Sequence, residues 1–272
     1  MAYRCLPQGL AVLAAAIAVV RPAGAGEPFQ PAPPKPSLEM WTGGQIFGGE
    51  WSIYTGATWA PFGSVHEDGF RLRAVLGTGA YGLTGTDAGG SVAFGDILAG
   101  YHTQYGPVTL KLLAGLTIAE HSPVGQASTS GLGGTALGPK VLLETWWSLS
   151  PRAWASLDLG LAMPFVHATD GIADWGEPKR IDCTCRLRVG WKVWQTLSLG
   201  LEGGAGGALA PTLRSFWANS GPAENGMAYA GGFLRYEWAG GEVSISAGGI
   251  LDGDEPEGRA HAFGTVSLLT RF

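Results

Sequence analysis

Gly77-Thr78-Gly79-Ala80-Tyr81-Gly82 has the glycine spacing of a dinucleotide-binding loop, in which close backbone approach frees amides to hold a pyrophosphate at a helix N-terminus. That chemistry needs a helix directly after the glycines. Leu83 to Gly90 reads as a turn instead, so the spacing implies no nucleotide site. Cys183-Thr184-Cys185 has the residue types of a metal or redox pair. On a strand, however, residues two apart share a face at about 6.6 Å, beyond disulfide reach, and no histidine accompanies them. Small lipid-facing side chains are the better reading. Nucleophilic catalysis would need a histidine held by a carboxylate beside a serine. Of His66, His102, His121, His167 and His261, only His102 (near Asp96) and His261 (near Ser267) could serve as a base, and each is separated from its partner along the strand. The sequence therefore assigns no catalytic residue, no cofactor-binding residue and no metal ligand. Trp175, Phe216 and Trp217 could stack on sugar rings, whose apolar faces suit aromatic planes, or could anchor loops at a membrane interface.

Composition narrows the elements that carry these residues. Glycine fills 45 of 272 positions and charged residues only 14%, against about 25% in ordinary soluble domains. An aromatic content of 10%, with 11 Trp, is too high for disorder, and a net charge of −5 offers nucleic acid no basic surface. The longest apolar run, Leu10 to Val20, falls short of the roughly 20 residues of a spanning helix. With the basic start Met1 to Arg4 and the small residues Ala23 and Ala25, it reads as a secretory signal peptide over residues 1–25, cleaved after Ala25. A proline-rich periplasmic tether follows over residues 26–38, too stiff and donor-poor to enter a sheet.

From Glu39 to Phe272 the chain alternates with a period of two. In Ile181 to Trp194 the odd positions are Ile181, Cys183, Cys185, Leu187, Val189, Trp191 and Val193, and the even ones include Asp182, Arg186, Arg188 and Lys192. That split makes a strand with one greasy and one charged side. Similar windows predict twelve strands near 39–47, 51–60, 69–81, 91–104, 107–120, 136–148, 152–163, 181–193, 196–208, 227–238, 242–251 and 260–272. After the opening turn at Gly48 to Glu50, connections alternate short and long, with every long loop on one side, as in outer-membrane barrels with short periplasmic turns. Strands of ten to fourteen residues suit a tilted bilayer crossing better than a soluble β-sandwich. Trp59, Tyr101, Tyr105, Trp147, Trp154, Trp191, Trp194, Tyr236 and Trp238 lie beside the short turns and read as an aromatic girdle. Val266, Leu268 and Phe272 share a face on a final strand like those of outer-membrane barrels. The expected fold is all-β: an antiparallel transmembrane β-barrel of about twelve strands in the bacterial outer membrane, surrounded by lipid and inserted by the barrel assembly machinery.

If the greasy side meets lipid, the charged side lines the lumen. The lumen-facing candidates are Arg71, Arg73, Lys111, Glu144, Asp158, Arg186, Arg188, Lys192, Glu202, Arg235, Glu237 and Arg271, together with Asp96, Lys140, Arg152, Asp182 and Glu242. Near balance of sign favours a lumen cross-braced by ion pairs over a narrow pore, because an unpaired charge in a dry interior is costly. Inward glycines such as Gly43, Gly77, Gly100, Gly115, Gly200 and Gly204 could free space or accommodate curvature.

Trp51-Ser52-Ile53-Tyr54-Thr55-Gly56-Ala57-Thr58, Ala60-Pro61-Phe62-Gly63, Leu143-Glu144-Thr145-Trp146-Trp147 and Gly231-Gly232-Phe233-Leu234-Arg235-Tyr236-Glu237-Trp238 resemble blocks of the alphaproteobacterial cellulose biosynthesis protein BcsS family, over about Glu39 to Phe272. The resemblance implies a non-enzymatic outer-membrane accessory of cellulose (exopolysaccharide) biosynthesis and secretion, with cellulose or cellulose-secretion components as partners. It transfers no catalytic residues. The alternatives are a narrow outer-membrane pore, or a lipid- or glycan-modifying enzyme using His102 or His261.

Overall fold

The computed structural model describes residues 35–48, 50–82, 89–124, 134–163, 166–169, 172–175, 181–209, 227–251 and 262–272. The expected signal peptide and nearly all of the tether lie outside these residues. The strands are β1 (Leu38–Phe47), β2 (Glu50–Trp59), β3 (Gly69–Gly82), β4 (Gly89–Tyr105), β5 (Val108–Val124), β6 (Gly134–Ser148), β7 (Ala153–Ala162), β8 (Val166–Thr169), β9 (Ile172–Trp175), β10 (Ile181–Lys192), β11 (Leu197–Leu209), β12 (Met227–Trp238), β13 (Gly241–Ile250) and β14 (Ala262–Arg271). Twelve of them form a closed antiparallel barrel: β1 pairs with both β2 and β14, β5 with both β4 and β6, and β7 with both β6 and β10. The hairpin β8–β9 adds to the far end of β6 and lies within the region read from sequence as a loop after Pro164.

Closure pairs both edges of each of the twelve barrel strands, the condition for placing a sheet in hydrocarbon. It also forces tilt. A walk straight across the registered pairs from Glu39 meets Thr58, Arg73, Leu98, Gly115, Lys140, Ala162 and Asp182, rising from the short-turn end of β1 to the long-loop end of β10. Barrels of this kind tilt by about 35–45°. The short end carries the turns β4–β5, β6–β7, β10–β11 and β12–β13, with Gly106 at φ 57° in the first of them. A side chain there would be strained in the left-handed region.

The alternation holds around the ring. Leu72, Leu76, Leu112, Leu116, Leu187, Val189, Leu199 and Ile245 point outward and are exposed, Ile97 by 75% and Leu201 by 73%. No second sheet covers this surface among the described residues, so the sandwich alternative, which would seal it between two layers, does not hold. Trp59, Tyr101, Tyr105, Trp147, Trp191, Trp194, Tyr236 and Trp238 are exposed near the short-turn end. Trp154 is a correction to the girdle: it is 2% exposed and points into the lumen, because its neighbours Ala153 and Ala155 take the outer side of β7.

The inward glycines seat rings. Tyr54 stands directly opposite Gly43 in the ladder, Trp41 opposite Gly56, Phe94 opposite Gly77, Trp154 opposite Gly190, Phe233 opposite Gly200 and Phe263 opposite Gly248. A Cβ at Gly43 would come 2.6 Å from Tyr54 Cζ, and one at Gly77 would come 2.7 Å from Phe94 Cε1. The missing side chains are thus replaced by rings folded across from the neighbouring strand, the arrangement known to protect glycine in sheets. Gly77 and Gly79, the glycines of the nucleotide-like spacing, are ordinary strand residues within β3. Gly77→Val is expected to lower barrel stability by about 1–3 kcal/mol through overpacking against Phe94, while Leu76→Val on the outer side changes little. Urea unfolding in detergent micelles, followed by tryptophan fluorescence, checks this.

Candidate functional site

Charged side chains on the inner face form a chain of ion pairs near the short-turn end. Arg73 sets a two-pronged guanidinium on Glu144, with Nη1–Oε1 at 2.5 Å and Nη2–Oε2 at 2.8 Å, and donates through Nε to Thr58 Oγ1 at 3.0 Å. Its guanidinium lies 4.9 Å from the Trp41 ring centroid. Lys111 Nζ is 3.9 Å from Glu144 and 3.4 Å from Glu39. Arg271 Nε donates to Glu39 at 3.1 Å, and its Nη2 lies 3.8 Å from Glu242. Arg235 joins Glu242 to Glu237, with 2.9 Å to the latter, and Lys192 is 3.7 Å from Glu237.

These contacts do not follow the wall. β3 and β6 are separated by two strands, and β5 and β1 by three, so Arg73–Glu144 and Lys111–Glu39 reach through the interior. Arg235 does likewise from β12, lying 4.6 Å from the Trp146 centroid and 5.1 Å from that of Trp154, on β6 and β7. Trp146 and Trp154 stack at 4.1 Å, and Phe233 lies 5.4 Å from Trp154. The belt therefore crosses the lumen at its level. Deeper in, Arg186 pairs with Glu202 at 2.7 Å, Ser246 donates to the same carboxylate at 3.1 Å, and Lys140 pairs with Asp96 at 2.6 Å. Phe47, Tyr229 and Phe263 form an aromatic layer beyond, with centroids 4.7–5.5 Å apart. Asp158 stands in register with Glu144 on one side and Arg186 on the other, and Arg188 places its guanidinium 6.0 Å from Trp154.

Two groups were not legible as lumen residues. Glu39, 6% exposed, is the hub between Lys111 and Arg271, yet it is only the second residue of β1, where the inner face also carries Trp41 and Phe47 and the greasy-versus-charged contrast fails. The inward rings have a usable signal: each faces a glycine on the next strand.

Residues 60–68 fold against the short-turn mouth. Ala60, Ser64 and Val65 are buried, and Val65 N and Ser64 Oγ both donate to Pro36 O, at 2.8 and 2.9 Å. Arg71, 2% exposed, donates to Ser64 O at 2.9 Å, to Glu67 O, and to His102 Nδ1 at 2.9 Å. A guanidinium has no acceptor, so His102 must present an unprotonated Nδ1 to it. This ring nitrogen is held by a cation, the reverse of a carboxylate-positioned base. Outside the strands, Glu67 is held below the usual carboxylate range, first by its hydrogen bond from Lys35 and then by the Ser64 amide. Burial lowers His66, with Arg271 reinforcing the shift. Trp175 closes β9 with its side chain undescribed, and Phe216, Trp217 and His261 lie outside the described residues. Cys183 and Cys185 point outward from β10 as free thiols.

Residues 40–212 match the sequence model of a family described as cellulose biosynthesis protein BcsS. No curated protein matches the chain in sequence. Among solved structures, the chain is similar to the transport unit of the autotransporter AIDA-I from Escherichia coli, at 14% identity and TM-score 0.51, covering 90% of this chain and 92% of that one. It is also similar to the translocator domain of the autotransporter NalP from Neisseria meningitidis, at 12% identity and TM-score 0.50, covering 89% and 90%. At these identities the likeness speaks for the barrel fold.

Arg73→Met, which leaves Glu144 in the interior without its fork, is expected to cost about 3–5 kcal/mol. The double substitution Arg73→Met with Glu144→Leu should recover most of that loss. Urea midpoints of the three proteins in micelles check the coupling.

Proposed function

The chain belongs to the cellulose biosynthesis protein BcsS family, and on that premise we propose that it is a non-enzymatic outer-membrane barrel that assists the export or surface attachment of cellulose. The observation that carries the reading is a barrel with bare aliphatic side chains outside and interlocked charges inside, in a chain of this family. Hydrocarbon is the solvent that suits Ile97 and Leu201. Residues 1–25 act as a cleaved export signal and the proline-rich residues between it and β1 as a tether, with the short-turn end in the periplasm and the barrel inserted by the assembly machinery. Cellulose-secretion components on that side are the natural partners.

The non-enzymatic reading is supported by His102, whose Nδ1 is engaged by Arg71 rather than oriented by a carboxylate. It is supported further by the lumen charges, which are spent on one another: Arg73 on Glu144, Arg186 on Glu202 and Lys140 on Asp96.

Deleting the gene should lower or displace dye-binding extracellular glucan; unchanged yield and location would remove the cellulose role. The narrow-pore reading gains from the polar lining and is separated by electrical recording. The barrel in a planar bilayer is expected to be closed to ions, and Arg73→Ala combined with Arg235→Ala, which removes two of the side chains crossing the lumen, is expected to raise conductance.

A further inference from the structure

The inner rim at the short-turn end holds a hollow of about 300 Å³ lined by Trp146, Trp154, Ser148, Ser150, Arg152 and Lys192. That volume is at the low end of the roughly 300–1,000 Å³ of small-ligand sites, room for the end of a chain rather than a whole oligomer. Its lining comes from the ends of β6 and β7, the turn that joins them and the end of β10, tied together by Lys192 N donating to Arg152 O at 2.7 Å. Trp146 is half-buried, whereas Trp154, stacked on it at 4.1 Å with planes 18° apart, is sealed behind and donates its indole N–H to Ser198 Oγ at 3.4 Å. Arg152 is exposed and holds no ion pair among the described residues.

A second, separate observation concerns the layer beside the tryptophans. Ser156 Oγ, Arg235 Nη1 and Ser244 Oγ are buried without a hydrogen-bond partner among the described residues. All three residues are at least nine-tenths buried. Ser156 stands opposite Trp146 in the ladder, Arg235 lies against both tryptophans, and Ser244 stands opposite Arg235. Buried polar groups are normally paired, and these three lie behind the tryptophans, outside the lining of the hollow, so the polar partners a ligand there would meet are Ser148, Ser150, Arg152 and Lys192.

We propose that this hollow is a saccharide subsite that receives the end of a neutral β-1,4-linked glucan from the short-turn side. A pyranose with only equatorial substituents presents axial C–H bonds on both faces, which suit the flat indole of Trp146. Its hydroxyl rim accepts from Arg152 and Lys192 and exchanges hydrogen bonds with Ser148 and Ser150. The belt behind the tryptophans stops the chain at the mouth, so the site holds an end and does not thread it. This rests on the reading of the chain as an accessory of cellulose production, and it names what the barrel touches.

The test is calorimetric titration of the full barrel in detergent micelles with cellohexaose, with maltohexaose as comparator. Saturable binding of cellohexaose alone is expected, weakened about tenfold by Trp146→Ala. Arg152→Ala, in an exposed turn where folding is undisturbed, should weaken it about threefold or more. Absence of cellohexaose binding, or wild-type affinity in both variants, overturns the site. If Trp146→Ala fails to fold, wild-type affinity in Arg152→Ala overturns it by itself. Binding by the protein, with normal cellulose in cells lacking the gene, would sink the accessory role and keep the site. Altered cellulose in those cells, with a protein blind to the oligomer, would do the opposite.

Discussion

A sheet that closes on itself allows its side chains only two destinations, and β1 pairing with both β2 and β14 imposes that choice on the whole chain. Once Arg73 points inward, its partners in the ladder, Thr58 and Leu98, must as well, and the same parity passes from strand to strand until it returns to β1. A one-residue slip anywhere would put charge into hydrocarbon and Leu or Ile into the interior. The apolar exterior and the paired interior are therefore consequences of one geometric constraint.

Within that constraint the interior solves two problems with the same residues. Charges removed from water need partners with good geometry, and Arg73 and Glu144 supply a fork while Glu39 bridges Lys111 and Arg271. A wall rich in glycine would otherwise leave gaps, and Trp41, Tyr54, Phe94, Trp154 and Phe233 fill them from the opposite strand. The guanidiniums of Arg73 and Arg235 link the two systems by resting on Trp41 and on the Trp146–Trp154 stack.

The strand pattern was legible wherever the two faces differ sharply in polarity, as in Ile181 to Trp194, where even positions carry Asp182, Arg186, Arg188 and Lys192. It blurred where the lumen is aromatic. Trp154 sits beside a short turn as the girdle residues do, but its alternation with Ala153 and Ala155 puts it inside. Glu39 escaped because one charge at the start of a strand has no preceding period to fix its face. The glycines left two readings open because composition does not reveal what stands opposite; register does, and it seats rings on Gly43 and Gly77. The hairpin β8–β9 was invisible because two four-residue strands give too little repetition to count. Which charges meet across the lumen depends on barrel girth and tilt, which no local pattern encodes.

Almost every ladder in the barrel joins strands that follow one another closely along the chain, so each can zip from its turn. The seam is different: Glu39 and Arg271, which face each other there, are 232 residues apart. Bringing such distant segments together carries the largest loop-closure entropy of any pairing in the molecule. Formation of the cylinder thus depends on a single late encounter, and until it happens the first and last strands are open edges able to capture another polypeptide. A cell making this protein must shield those edges in transit, whereas the finished seam, once zipped, is held by nine registered pairs, as many as join β13 to β14.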